Sequence, residues 1–166
     1  TTYREMAEDT VDAVLAHLGR TASCRTRTLP LHGGRGFVDP GVDDGPFGHL
    51  SHRYGTDTAQ VQALVTADRS LGERLVQGLP YLRAEAVYAV RHEMATTLDD
   101  VLTRRMPARL FEREAAVAAA RATADLIAPE LGWDAAETER QVTDFVARCA
   151  DEERAGALPP AAGAAR

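Results

Sequence analysis

Apolar side chains recur every three or four residues along most of this 166-residue chain, and this spacing constrains its fold more than any other feature. The period matches one face of an α-helix and not the alternation of a β-strand. Val11, Val14 and Leu18 follow it near the start, and Val142 and Phe145 follow it near the end. Abundant Ala and Leu with few aromatic residues also favour helices. We therefore expect an all-α fold, a compact bundle of about five to seven helices preceded by one helix and a Gly-rich loop.

Short motifs mark where several helices start. Thr2 with Glu5, and Asp134 with Glu137, have the form of a capping box, in which each side chain accepts a hydrogen bond from the backbone N–H of the other residue. Thr97 is in a position to cap a helix over residues 98–105, which the proline at position 107 would end. These signals predict helix starts near the beginning, the middle and the last quarter of the chain.

Other boundaries follow from the apolar spacing and from helix breakers. The spacing predicts helices up to about His17, over Leu82–Met94 with Met94 on the apolar face, and from about Phe111 to Leu131. Gly19 and Gly132 are in positions to end the first and the last of these helices. Residues 24–31 are a candidate extended piece, and glycines at 33, 34, 36, 41 and 45 predict a loop with a domain boundary near position 33. Beyond residue 150 the chain is poor in large apolar groups, so a disordered Ala/Pro tail is predicted over 151–166.

The charge and cysteine content exclude several classes of protein. The net charge is −6 and the pI is near 5.3, and no Arg stripe with interleaved aromatic residues is present, which argues against a nucleic-acid partner. Cys24 and Cys149 lie far apart without metal-binding spacing and fit reduced cytosolic thiols. No apolar run approaches the roughly 18 residues that span a bilayer, and no signal segment is visible. A cytoplasmic location is expected, with the inner face of the cell membrane as a peripheral alternative.

Motifs for cofactors and metals are absent from the sequence. Neither of the glycine motifs that hold nucleotide phosphates occurs, and the glycines at 33, 34 and 36 follow no clear strand. His92 lacks the second His that a zinc helix needs four residues later, because Thr96 stands there. His49 and His52 have no nearby acidic or Cys ligands and are interpreted as polar residues at a helix surface or interface. We predict no metal ligands and no catalytic residues.

The densest charged stretch lies around the turn formed by Thr96 and Thr97. A salt-bridge network between helices is the ordinary interpretation, because the planar guanidinium group of arginine can bind a neighbouring carboxylate through two N–H groups. An anion-binding arginine cluster is the alternative. The charged residues are Glu85, Arg91, Glu93, Asp99, Asp100, Arg104 and Arg105.

Two longer stretches resemble a known family. Residues 1–9 (TTYREMAED) are similar to the segment that follows a Gly-Gly-Lys-x element in aerobic FAD-dependent glycerol-3-phosphate dehydrogenases and glycerophosphate oxidases. Residues 80–88 (PYLRAEAVY) and 91–105 (RHEMATTLDDVLTRR) resemble the C-terminal helical domain of the same family. With the closing helix, the resemblance covers roughly residues 1–150 in family order.

The resemblance implies a function for a longer parent protein: oxidation of glycerol 3-phosphate to dihydroxyacetone phosphate, with hydride passing to FAD. It divides the chain into residues 1–32 as the last helix and extension of the FAD-binding domain, 33–150 as the C-terminal helical domain, and 151–166 as the tail. Thr1, Thr2 and Arg4 are the cofactor-binding candidates, since a helix N-terminus offers N–H donors to a flavin oxygen or a phosphate. The implied partners are the parent's own N-terminal FAD-binding domain, a second copy in a homodimer, and a membrane surface.

The chain begins at Thr1, inside a predicted cap and without an initiator Met, so we expect a fragment that is non-catalytic and binds no FAD by itself. Two alternatives stay open. One is an independent helical interaction or helix-turn-helix module using the Thr96-Thr97 turn, although acidic residues follow that turn. The other is a small complete enzyme built on His and Glu residues, although no nucleophile, base and orienting group occur in a recognisable arrangement.

Overall fold

The structure, a computed structural model, describes residues 2–39, 41 and 48–156. The all-α prediction is confirmed, because α1 is followed by six further α-helices and the only β pairing among the described residues is an isolated bridge between Arg74 and Leu82. The helices are α1 (Tyr3–His17), α2 (Gly48–Tyr54), α3 (Thr58–Ala67), α4 (Arg83–His92), α5 (Ala108–Phe111), α6 (Arg113–Leu131) and α7 (Ala135–Gly156), with 3-10 turns at Gly55–Asp57 and Arg69–Gly72 and a π-helix at Asp100–Arg105.

The core forms where α6 packs between α4 and α7. One face of α6 consists of small side chains, and Ala116, Ala120 and Ala124 are at most 1% exposed. Small residues at a helix contact let the two axes approach closely, so this face brings α4 and α7 near each other. A second buried cluster lies between α2, α3 and the opposite side of α4, around residues such as Leu50 and Val61. α4 therefore carries side chains of both clusters.

The first helix differs from the others because it contributes nothing to either core cluster. Its predicted end at about His17 is confirmed, and Gly19 adopts the expected left-handed conformation with φ +64°. None of its residues is buried. The capping box predicted at its start does not form, because Thr2 itself has helical backbone angles and its side chain makes no capping hydrogen bond. The apolar spacing of α1 thus marks a face that the described chain leaves open.

The segment after α1 is fixed to the helical domain by a close contact between two glycines. The carbonyl oxygen of Gly33 accepts a hydrogen bond from the backbone N–H of Thr56 at 2.9 Å. A Cβ at Gly33 would lie 2.0 Å from the carbonyl oxygen of Tyr54, and one at Gly55 would lie 2.2 Å from that of Gly33. Both glycines also have positive φ. The predicted loop near position 33 is therefore anchored, whereas the extended piece predicted over 24–31 forms no strand and contains a turn.

The predicted helix over Leu82–Met94 ends two residues early. Met94 has φ +58° and is 84% exposed, so its placement on the apolar face was wrong. The backbone N–H of Ala95 donates to the carbonyl of Ala89 at 3.1 Å, so the chain turns sharply at the end of α4. Met94 occupies a left-handed position just after this helix, which glycine often fills.

We expect Met94→Gly to raise the free energy of unfolding by about 1 kcal/mol, because a left-handed L-residue costs about 1–2 kcal/mol that glycine avoids in part. The exposed side chain contributes little packing that would offset this gain. Urea denaturation followed by circular dichroism measures the change. Met94→Ala is the control, since alanine keeps the backbone strain; an equal gain in that variant would show that strain is not the cause.

Two further boundaries differ from the sequence prediction. The helix predicted from about Phe111 to Leu131 is broken at Glu112, which has φ −146° and ψ +78°, so that α5 and α6 are separate. The disorder predicted from residue 151 was wrong for residues 151–156, because α7 continues to Gly156 and an ion pair joins Arg109 to Glu152 at 3.2 Å. Residues 157–166 of the predicted tail lie outside the described residues.

The predicted caps in the second half of the chain are confirmed with one change. The hydroxyl of Thr97 accepts from the N–H of Asp100, and the carboxylate of Asp100 accepts from the N–H of Thr97, both at 3.0 Å. Asp134 accepts from the N–H of Glu137 at 2.7 Å. The Glu137 carboxylate is bound by the side chains of Arg140 and Gln141, so only half of the second box is observed.

Candidate functional site

An open apolar groove lies between α1 and the segment that follows it, with a volume of about 410 Å³. Val11 in its wall is 55% exposed and Leu29 opposite is 66% exposed. Glu8, Asp12 and Arg25 bring charge to the lining. Exposed apolar surface of this extent on a helix usually marks a contact with another molecule or domain. The apolar lining residues include Tyr3, Ala7, Val11, Leu15, Leu29 and Leu31.

The three predicted cofactor-binding residues lie at the start of α1. Thr1 lies outside the described residues, and Thr2 is exposed without a side-chain capping bond. The Arg4 guanidinium donates to the carbonyl oxygen of Thr26 and lies 5.9 Å from the ring centre of Tyr3. Arg4 therefore holds the segment after α1 against the helix.

A buried carboxylate, Glu85 of α4, joins the start of that helix to α2. It is 0% exposed, and one oxygen accepts from His49 Nε2 at 2.7 Å and from the backbone N–H of Leu82 at 2.8 Å. The other accepts from the Tyr54 hydroxyl at 3.0 Å and lies 3.2 Å from Arg53 Nε. A buried charge is tolerated only when it is paired and hydrogen-bonded, and Glu85 meets both conditions.

The Glu85 charge affects the pKa values of the neighbouring side chains. Burial alone would lower the pKa of Arg53, but the neighbouring Tyr54 and Glu85 outweigh it, and the pKa lies above its usual value. Burial, together with the Glu85 charge, raises the pKa of Tyr54. The Arg53 guanidinium also lies 5.3 Å from the ring centre of Tyr54 and 5.4 Å from that of Tyr81. Arg53 therefore stays charged and Tyr54 stays a hydrogen-bond donor at neutral pH.

The chemistry of the Glu85 cluster is that of a structural anchor. Each donor is already bound to the carboxylate, and no nucleophile lies beside a free base there. As interpreted, His49 lies at a helix interface, and His52 binds the carbonyl of Gly41 at 2.8 Å. The expectation of no acidic neighbour was wrong, because Glu85 lies 2.7 Å from His49. No group of three or more potential metal ligands occurs in the parts of the chain that the structure describes. No sequence pattern indicates that Tyr54 contacts Glu85, because the two residues lie 31 positions apart.

The predicted salt-bridge network around the Thr96-Thr97 turn is present in part, and Asp99, Asp100 and Arg104 are its predicted members. Glu85 and Arg91 pair elsewhere, with Arg53 and Glu130, and Arg105 donates to the backbone carbonyl of Glu93.

Further members were not predicted. Asp99 is 6% exposed and lies 2.8 Å from Arg104, 2.9 Å from Arg109 and 3.4 Å from Arg148. Asp100 also pairs with Arg104, at 2.8 Å. Carboxylates accompany these arginines, so the arrangement does not favour the alternative of an anion-binding cluster. Arg109 and Arg148 were missed because they come from α5 and α7.

The helix after this turn does not suit duplex DNA. Leu98, Val101 and Leu102 are 0% exposed, so this helix is packed into the core. The two acidic residues of its first turn, Asp99 and Asp100, would face phosphates unfavourably. A recognition helix needs a free face that enters the major groove. The helix-turn-helix alternative therefore loses its support.

No helix among the described residues combines the length and the apolar character needed to cross a membrane.

Comparisons with known proteins agree on one family. The sequence model of a family described as the C-terminal domain of alpha-glycerophosphate oxidase matches residues 24–138. The chain is 34% identical over 171 aligned residues to Glycerol-3-phosphate dehydrogenase 2 of Mycobacterium tuberculosis, covering 96% of the chain and 29% of that protein. It is 42% identical over 118 residues to Glycerol-3-phosphate dehydrogenase 1 of Mycobacterium bovis, covering 69% of the chain and 22% of that protein. It is 32% identical over 167 residues to Glycerol-3-phosphate dehydrogenase SDP6, mitochondrial, of Arabidopsis thaliana, covering 86% of the chain and 26% of that protein.

The family model and the relatives match different lengths of this chain, and the chain matches only part of each relative. The chain spans less than a third of the length of these relatives. The family match begins at residue 24, after α1, whereas the alignment with the Mycobacterium tuberculosis relative covers 96% of the chain. No solved structure matches the chain significantly.

Proposed function

This chain belongs to the family of the C-terminal domain of alpha-glycerophosphate oxidase, and from that premise we propose that it is the C-terminal helical domain of a longer flavoprotein. The longer protein oxidises glycerol 3-phosphate to dihydroxyacetone phosphate and passes the hydride to FAD. The helical domain caps the flavin domain and is not itself catalytic. The alignment with glycerol-3-phosphate dehydrogenases along 96% of the chain is the observation that carries this proposal.

We assign the two parts of this chain to different domains of the longer protein. Residues 1–32 end the FAD-binding domain, and residues 33–150, continued by α7 to position 156, form the helical domain. The anchored contact between Gly33 and Gly55 supports a boundary here, because it fixes the start of the second unit to its own core. The partner of the chain is accordingly the N-terminal FAD-binding domain of the same protein.

FAD is the cofactor of the longer protein in this proposal. The residues of this chain could contribute only one edge of an FAD site. The sequence contains none of the glycine motifs that hold nucleotide phosphates. We keep Thr1, Thr2 and Arg4 as the cofactor-binding candidates, because a helix N-terminus offers N–H donors and a positive dipole end to an electron-rich flavin oxygen. FAD, when bound, would accept the hydride from the substrate.

The proposal is tested by measuring FAD binding and glycerol 3-phosphate oxidation for the chain alone and for the chain joined to its FAD-binding domain. We expect the chain alone to show neither saturable FAD binding at micromolar concentration, followed by flavin fluorescence, nor reduction of a dye acceptor. The joined protein should show both. Tight FAD binding by the chain alone, or a joined protein that binds FAD but leaves glycerol 3-phosphate unchanged, would contradict the proposal.

The cellular setting is part of the same proposal. We place the longer protein in the cytoplasm, either free or peripherally at the inner face of the cell membrane, and include a homodimer as its assembly. Light scattering of the longer protein measures the assembly, and fractionation of cells into soluble and membrane parts measures the location.

A further inference from the structure

We propose that the end of α4 is the surface of the helical domain that the N-terminal FAD-binding domain covers. This α4-end surface is formed by His92, Glu93 and Met94. In the contact, an apolar recess of the FAD-binding domain receives the Met94 side chain, and an Arg or Lys beside the recess donates to the Glu93 carboxylate. This inference rests on the proposed function, because it takes the occupant from the same longer protein. It adds a face of the helical domain, separate from α1 and residues 20–31, and the chemistry of its partner.

Met94 combines an unfavourable backbone conformation with an apolar side chain in solvent. Its φ is +58°, and no other non-glycine residue of the described chain has a positive φ. Glycine adopts this conformation freely and would serve the turn equally well. Backbone strain of this kind is usually retained where the residue has a function. A flexible methionine side chain that is 84% exposed suits a protein-binding surface.

The neighbouring Glu93 carboxylate lacks a hydrogen-bond donor among the described residues. Its Oε2 is buried without a partner, although the residue as a whole is partly exposed. Burial raises the pKa of Glu93 despite the charges of Arg53 and Arg105. Buried polar atoms are nearly always hydrogen-bonded, so this exception needs an explanation. A basic side chain that approaches the open side of the carboxylate would supply a charge-assisted hydrogen bond.

The α4-end surface is connected by direct contacts to the point where the chain enters the helical domain. Gly33, at the start of that domain, lies against the backbone of Tyr54. The ring centres of Tyr54 and Tyr88 are 5.1 Å apart, and the Tyr88 ring stacks on His92 with 4.7 Å between centres. Glu93 and Met94 follow His92 directly. A domain attached at Gly33 is therefore held beside this surface.

The relatives indicate which molecule is attached there. The matching family is a C-terminal domain, and the chain covers 29% of the Mycobacterium tuberculosis relative. Most of that relative therefore lies outside the alignment, and a C-terminal domain is preceded by the rest of its protein. A contact between two domains joined by a short anchored link is intramolecular, so its effective concentration exceeds that of a separate molecule. This favours the FAD-binding domain over a second copy as the occupant.

The test is hydrogen–deuterium exchange of residues 90–97 in the chain alone and in the longer protein. Exchange should slow by at least about tenfold in the longer protein, while peptides from α6 stay protected in both. Met94→Ala, which keeps the left-handed strain, and Glu93→Gln should each remove at least about fivefold of this protection in the longer protein and change exchange of the chain alone by less than about twofold. Leu110→Ala is the matched control, because Leu110 is 80% exposed on α5, outside the α4-end surface.

Several outcomes would overturn the α4-end surface. These are exchange as fast in the longer protein as in the chain alone, an equal loss of protection in Leu110→Ala and Met94→Ala, or an effect of Met94→Ala that is as large in the chain alone. Full protection in Glu93→Gln would overturn the Arg or Lys donor, and protection of the isolated chain that disappears on dilution would assign the surface to a second copy. Glycerol 3-phosphate oxidation is measured on the same longer protein: protection without oxidation retains the docking surface and rejects the proposed function, and oxidation without protection does the reverse.

Discussion

Glu85→Gln should lower the free energy of unfolding by about 3 kcal/mol, because removing the charge of a fully paired buried carboxylate leaves its partners uncompensated. Arg53 would remain half-buried without its counter-charge, and the amide nitrogen would meet donors from His49, Tyr54 or Leu82. The change preserves the size of the side chain, so the loss reports on electrostatics and hydrogen bonding and not on a cavity. Urea denaturation at neutral pH measures it.

Glu93→Gln is the matched control for this prediction. Glu93 lies eight residues further along the chain, and its Oε2 is buried without a hydrogen-bond partner. Burial raises the pKa of Glu93 despite the nearby Arg53 and Arg105. A carboxyl group with a raised pKa in the folded state weakens the fold once the pH exceeds the unfolded pKa, so a neutral amide should leave stability unchanged or increase it at neutral pH. Equal losses in the two variants would show that any amide at these positions is harmful and would refute the role of the Glu85 charge.

The elements of this fold were predictable where local chemistry determines them. Thr97 and Asp134 were identified as caps because a cap uses side chains within one turn of the helix start. Gly19 and Gly132 ended helices as predicted, since only a left-handed residue is needed there. Met94 was misplaced because methionine itself does not favour the left-handed conformation, which here accompanies the hydrogen bond from the Ala95 N–H to the Ala89 carbonyl.

The candidate sites were less predictable because they depend on contacts distant in sequence. Glu85 was assigned to a charged stretch with its sequence neighbours, but its partners come from α2, 31 and 36 residues earlier. Asp99 likewise pairs with Arg148, which lies 49 residues further along the chain. The open face of α1 has the same apolar spacing as a core helix, so the sequence alone could not distinguish a face packed within this chain from one that the described residues leave exposed.

Phe145→Ala should lower the free energy of unfolding by about 3–5 kcal/mol, the usual range for truncating a buried aromatic residue. Phe145 is 1% exposed and belongs to the main core cluster, whereas Phe111 is 62% exposed, so Phe111→Ala should change stability by less than about 0.5 kcal/mol. The pair also tests where the domain ends. The family match stops at residue 138, yet Phe145 and Cys149 of α7 lie in the core beyond that point. If Phe145→Ala changed the urea midpoint no more than Phe111→Ala, the second half of α7 would be an appendage, and the helical domain would end where the match does.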